Sequence, residues 1–139
     1  MPCAADMYKT VTGEFVCEPC SANSNTASTT GSTAVTACVA NAGFYGVNGG
    51  TPIACPANSG TGTATGSTAL TACVANAGFY GANGGTPIAC PANSGTGTTT
   101  AGSATGSTAS TACVAAAGYT SPNGGNPTPC GTGTYKAAI

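Results

Sequence analysis

Nine cysteines are the side chains with the most chemistry to offer in this chain of 139 residues. Three kinds of chemistry are open to them: metal binding, thiol exchange and permanent cross-linking. A structural zinc site wants paired Cys or His clusters that complete a tetrahedron. This chain has no histidine and one close pair, Cys17-x-x-Cys20, so half the ligand set is missing. A redox-active Cys-x-x-Cys belongs at the start of a helix, and no helical period surrounds these two residues. Cross-linking remains. A framework of disulfides in a chain rich in Gly, Thr and Ser belongs to an oxidising compartment, which makes an extracellular or cell-surface location the expectation.

The other titratable groups are few. Asp6, Lys9, Glu14, Glu18 and Lys136 carry all the formal charge, so residues 19–135 hold only Cys and Tyr as candidates for proton transfer. General acid and base catalysis needs a titratable group held against the reacting atom, so the expectation is a non-enzyme with no catalytic residue, no metal and no cofactor. Two lysines cannot track a phosphate backbone, which argues against nucleic acid as a partner. No stretch approaches the roughly 18 apolar residues of a membrane span. Met1-Pro2-Cys3 also lacks the basic and apolar regions of a secretory signal, so a mature or partial chain is expected, with any anchor outside it.

What must position the cysteines is a repeat. TACVANAGFYGVNGGTPIACPANSGTGT begins at Thr36 and returns at Thr71 with Ala82 in place of Val47, and a looser copy starts at Thr111. The period is 35 residues, since Cys38 recurs as Cys73 and Cys55 as Cys90. Copying on this scale builds arrays. The steps from Cys38 to Cys55, Cys73 to Cys90 and Cys113 to Cys130 are all 17, whereas Cys90 to Cys113 is 23 against 18 for Cys20 to Cys38 and Cys55 to Cys73. Five extra residues therefore fall in TGTTTAGSATGST, a loop that tolerates insertion. The constant segment carries Asn48-Gly49, the strongest short hairpin signal, with Phe44, Tyr45 and Ile53 as the bulky residues on its arms.

A conventional core is out of reach. Of the 41% nominally hydrophobic residues, 27 are Ala and nine are Cys, while Leu, Ile, Val and Phe together number 14. Ordering each residue costs on the order of 1.5 kcal/mol, so covalent links must help. The fold expected is a small disulfide-rich repeat protein: short β-hairpins and irregular Ser/Thr/Gly loops in an extended rod, with little or no helix, each repeat touching mainly its neighbours.

The recurring order CPANS, a Thr/Gly/Ser stretch, GST, TAC, NAGFYG and NGGTP resembles the cysteine-rich repeats of ciliate surface proteins, the immobilisation antigens. It is similar, more distantly, to the cysteine-rich modules of tumour necrosis factor receptors and ephrin receptors. In that pattern the turn before NAGFY carries Cys-x-Cys and the turn before PANS carries Cys-x-x-Cys. Here Ala40 and Ile53 are read at the places of the second and third of those cysteines, and Ala75 and Ile88 repeat the loss. The resemblance implies bonds from Cys20 to Cys38, Cys55 to Cys73 and Cys90 to Cys113, with Cys3 and Cys17 as the retained version of the lost pair. The rival scheme joins Cys38 to Cys55, Cys73 to Cys90 and Cys113 to Cys130, and spacing alone does not decide between them. The implied organisation is a half module over 1–19, repeats over 20–54, 55–89 and 90–129, and the start of a further unit over 130–139.

Cys130 is the odd cysteine. Pro129, Cys130, Tyr135 and Lys136 match Pro2, Cys3, Tyr8 and Lys9 at identical spacing, which suggests a longer repeat stepping by 127 residues. Its partner would then lie in a further unit or in another molecule.

Charge poverty is the second clue to function. With 4% charged residues and a net charge of −1, the surface falls far below the usual charged fraction, and near-neutral surfaces associate. Self-assembly or a hydrophilic coat is expected. None of the ten Asn lies in an Asn-x-Ser/Thr acceptor, because Asn126 is followed by Pro127. That leaves Thr61, Thr63, Thr65, Thr96, Thr98, Thr99 and Thr100 as candidate O-glycan loops. The leading reading is a structural building block of a surface coat or filament with itself as partner. A second is an adhesin or receptor-like module presenting Tyr45, Tyr80 and Tyr119 as an aromatic row. A third, ice binding, is prompted by Thr61-x-Thr63-x-Thr65 and Thr96-x-Thr98.

Overall fold

The computed structural model describes residues 1–11, 16–97 and 104–136. The chain forms two compact units, Met1–Cys55 with Gly60–Cys73, and Pro56–Ser59 with Val74–Ile139. Among the described residues there is no α-helix; strands of two or three residues pair as antiparallel ribbons. Gly, Pro or Asn interrupts every few positions, so no strand runs longer. Single 3-10 turns at Val35–Ala37, Leu70–Ala72 and Ser110–Ala112 precede Cys38, Cys73 and Cys113.

One kind of ribbon is the hairpin legible in the sequence. Met7–Tyr8 pairs with Glu18–Pro19, Phe44–Tyr45 with Ile53–Ala54, Phe79–Tyr80 with Ile88–Ala89, and Tyr119–Thr120 with Thr128–Pro129. In the hairpins that carry Asn-Gly the reversal is not the two-residue turn that this pair most often makes. Gly50 N donates to Val47 O at 3.0 Å, and Gly49, with φ +82°, takes the position of a type II turn that favours glycine. Gly49 N then donates to Cys38 O at 2.8 Å, as Gly124 N does to Cys113 O at 2.8 Å. A Cβ on Gly124 would lie 2.8 Å from Ser110 O, so the turn packs directly on the backbone of the 3-10 turn. The Asn-Gly pair anchors the hairpin tip to the cysteine segment.

The second kind of ribbon falls in the stretch expected to be an irregular loop. Ser24–Asn25 pairs with Val39–Ala40, and Ser94–Thr96 with Cys113–Ala115. Ser59–Gly60 and Val74–Ala75 are strands at the corresponding places, and beside them Asn76 N donates to Asn58 O at 2.9 Å. The turn that opens it is the PANS motif: Ser59 N and Ser59 Oγ both reach Pro56 O, at 3.1 and 2.7 Å, with Asn58 at φ +61°. Asn tolerates the left-handed region, and Asn23 and Asn93 adopt it at the same place.

Disulfides join Cys3 to Cys17, Cys20 to Cys38, Cys55 to Cys73 and Cys90 to Cys113, with Cα separations of 5.6 to 5.7 Å. Cys130 is free. Because Cys38, Cys73 and Cys113 are bonded this way, the scheme stepping by 17 does not form. Among the described residues the largest fully buried side chains are Thr96, Cys3, Cys38, Cys73 and Cys113. Ala40, Ala75 and Ala115 are buried beside them. With so little apolar volume, sulfur and methyl groups fill a space that backbones approach closely, and the cross-links do what a larger core does elsewhere.

Two readings of equivalence change. Tyr8 lies opposite Glu18 as Tyr45 lies opposite Ile53, so Cys17 corresponds to Pro52 and not to Ile53. Pro52 and Pro87 are buried, whereas Ile53 and Ile88 are 58% and 59% exposed. Buried Ala40 and Pro52 therefore occupy the places of bonded Cys3 and Cys17. The step of 127 residues also fails as a structural correspondence. Cys3 O accepts from Gly31 N as Ala40 O accepts from Gly66 N, whereas Cys130 N donates to Gly118 O as Cys20 N does to Asp6 O. Cys130 thus holds the backbone position of Cys20. Tyr135, 87% exposed and outside any strand, is no counterpart of Tyr8.

Candidate functional site

The recurrent constellation is a clamp between a hairpin and the octapeptide that follows it. That octapeptide is Gly-Ser-Thr-Ala-x-Thr-Ala-Cys, present three times, over 31–38, 66–73 and 106–113. In the first copy Gly31 N donates to Cys3 O at 2.8 Å, Ser32 O accepts from Lys9 N at 3.1 Å, and Cys38 bonds Cys20. In the second, Gly66 N donates to Ala40 O at 2.7 Å, Ser67 O accepts from Gly46 N at 2.9 Å, and Cys73 bonds Cys55. In the third, Gly106 N donates to Ala75 O at 2.7 Å, Ser107 O accepts from Gly81 N at 2.9 Å, and Cys113 bonds Cys90. Two backbone hydrogen bonds set the register and one disulfide locks it.

Three buried threonines, Thr26, Thr61 and Thr96, tie the clamp to the hairpin, and two of them, Thr61 and Thr96, are expected from the sequence to lie in O-glycan loops. Thr61 Oγ1 accepts from Gly43 N at 2.8 Å and donates to Ala64 O at 2.9 Å. Thr96 Oγ1 accepts from Gly78 N at 2.9 Å and donates to Ala104 O, and Thr26 Oγ1 accepts from Asp6 N at 2.9 Å and donates to Thr29 O at 2.7 Å. Their hydroxyls are consumed and enclosed, so Thr61 and Thr96 are withdrawn as O-glycan acceptors. Thr63 and Thr65 are exposed, while Thr98, Thr99 and Thr100 lie outside the described residues. With Thr61 buried and Thr63 exposed, no flat Thr row runs through these positions, which removes the observation that prompted ice binding. A usable signal existed: each of these Thr residues follows its cysteine (Cys20, Cys55 or Cys90) by six positions.

The tyrosine row also shifts. Tyr119 pairs with Pro129, at the place of Phe44 opposite Ala54, and Thr120 takes the place of Tyr45. The equivalent tyrosines are Tyr8, Tyr45 and Tyr80, all half-buried. The neighbour across the ribbon is Glu18 for Tyr8 and an isoleucine for the other two, Ile53 for Tyr45 and Ile88 for Tyr80. Tyr8 Oη donates to Glu18 Oε2 at 2.9 Å, and that bond to the carboxylate raises the phenol above its ordinary range.

Among the described residues, no three His, Cys, Asp or Glu side chains gather where they could hold a metal. No helix there is long and apolar enough to cross a membrane. What the arrangement does chemically is cross-link.

Two-stranded ribbons, four disulfides and a small core of Cys, Ala and Thr with Val114 define a small disulfide-rich, mostly β protein of repeated hairpins. Its bonds are the chemistry of an oxidising, secreted or surface environment. No family model matches the chain, and neither a curated protein nor a solved structure matches it.

Proposed function

We propose that this chain is an extracellular structural protein, a disulfide-stapled tandem-repeat building block that assembles with copies of itself into a surface coat or filament and performs no catalysis. The observation that carries the reading is a repeated apolar surface with almost no charge to keep it apart. Ile53 and Ile88 are more than half exposed at equivalent hairpin positions beside Tyr45 and Tyr80, and Val35 and Leu70 are exposed at equivalent positions before their cysteines. Surfaces of this kind associate. The resemblance to ciliate surface antigens supports the same reading.

Electron microscopy and sedimentation of the oxidised chain should show ordered assemblies. The double substitution Ile53→Lys with Ile88→Lys should return it to monomers without breaking a disulfide, since both side chains point into solvent. A wild-type chain that stays monomeric at high concentration would sink the proposal. Within it, exposed Thr63 and Thr65 are the O-glycan positions. Material from the native source should lose hexose-sized mass increments on alkaline β-elimination, with modified peptides at Thr63 and Thr65 and none at Thr61.

A further inference from the structure

We propose that the outer face of the fourth hairpin is a fourth clamp, built to receive an unpaired strand of the octapeptide Gly-Ser-Thr-Ala-x-Thr-Ala-Cys and to lock it through Cys130. The inference rests on the assembly reading for its purpose.

The fourth hairpin, Tyr119–Thr120 with Thr128–Pro129, repeats the frame of the other three. Cys130 N donates to Gly118 O at 2.9 Å, as Cys55 N does to Gly43 O and Cys90 N to Gly78 O, both at 2.9 Å. The turn that follows also repeats: Thr134 N and Thr134 Oγ1 both reach Gly131 O, at 3.0 and 2.6 Å, with Gly133 at φ +80°. Cys130 Sγ is therefore held where Cys20, Cys55 and Cys90 each meet the cysteine of an octapeptide.

The two backbone groups that grip the Gly and Ser of the octapeptide elsewhere are present here without it. Ala115 O stands where Cys3 O, Ala40 O and Ala75 O accept a glycine N–H, and it accepts instead from Lys136 Nζ at 3.2 Å. Ser121 N stands where Lys9 N, Gly46 N and Gly81 N donate to a serine carbonyl, and among the described residues it meets no acceptor. Gly118 N, whose equivalents donate to buried Thr hydroxyls, reaches Lys136 O at a long 3.4 Å. Lys136 occupies the position six residues after Cys130 at which the other repeats place a buried Thr. Its ammonium can swing to water when a strand arrives, and Ser121 N has no acceptor among the described residues to give up. The occupant follows from continuity with three filled clamps that hold the same peptide. Closure converts two thiols to one disulfide, the two electrons and two protons passing to an oxidant of the disulfide class.

The test uses the full oxidised chain and acetyl-Gly-Ser-Thr-Ala-Val-Thr-Ala-Cys, whose cysteine is carried as a mixed disulfide with thionitrobenzoate. Cys130 thiolate attacks the peptide sulfur, the new disulfide forms, and thionitrobenzoate leaves with the bonding pair, reporting the rate by its colour. Two backbone hydrogen bonds at the usual net worth predict capture about tenfold faster than for a scrambled peptide ending in the same cysteine. Sarcosine in place of the peptide glycine removes the N–H aimed at Ala115 O and should forfeit several-fold of that advantage. Mass mapping should place the adduct on Cys130. Equal rates for cognate and scrambled peptides overturn the proposal, as does an adduct on another cysteine or a Cys130-linked dimer formed in preference to capture. Capture by a chain that never assembles would refute the assembly reading alone; assembly without selective capture would refute the clamp alone.

Discussion

Replacing Cys90 and Cys113 together by serine should lower stability by about 3 kcal/mol, read as a fall in the urea midpoint of the whole chain or of the unit that holds them. The figure comes from the loop entropy released when a 23-residue separation is no longer closed. Here the loss weighs more than in an ordinary domain, because Cys113 lies where a core would be: it is 1% exposed, its neighbours Val114 and Ala115 are the buried apolar residues nearest in sequence, and Cys90 is half-buried. Serine hydroxyls at those places would need partners that sulfur does not. Full reduction of the four bonds should abolish the folded state. A reduced chain that kept protected amides in hydrogen exchange would show that backbone pairing alone suffices, contrary to this account.

Thr96→Val is expected to cost about 2 to 4 kcal/mol although it preserves shape. Thr96 has no measurable exposure, and its hydroxyl serves Gly78 N and Ala104 O together. Valine would strand a donor and an acceptor, each carrying a desolvation penalty of about 1 to 3 kcal/mol. Thr96→Ser retains the hydroxyl and should recover most of the loss. Thr63→Val, at an exposed position of the same residue type, should stay within about 0.5 kcal/mol of wild type. Comparable melting curves for Thr96→Val and Thr63→Val would sink the idea that these hydroxyls are structural. The same comparison at Thr61 asks whether the equivalent position in the previous repeat behaves alike.

The buried threonines show why a search for function among hydroxyls needs the fold. Thr61 and Thr63 are the same residue two positions apart, in a stretch whose composition gives no reason to separate them. Thr61 is buried because the PANS turn starts a ribbon there and brings its hydroxyl against Gly43 N, a residue 18 positions earlier. Tyr119 teaches the same lesson by a slip of one residue: matched by residue type, it joins Tyr45, but matched by pairing, it replaces Phe44. In a ribbon one position exchanges the two faces, so resemblance by type misassigns the side.

Read by itself, the sequence determined what depends on inventory and local order. Nine cysteines without histidine, a scarcity of charge and a 35-residue copy are properties of the chain before it folds, and they point to a cross-linked array of hairpins. The Asn-Gly signal located three of the four hairpins because a reversal is a local event. Only the tertiary structure decided which threonines are enclosed, that Pro52 stands in for Cys17, and that Cys130 shares the frame of Cys20 rather than of Cys3. Each of these depends on which groups meet across the chain, as when Asp6 N finds Thr26 Oγ1 at a separation of 20. Such meetings are settled by closing disulfides and ladders together, and composition carries no record of their register.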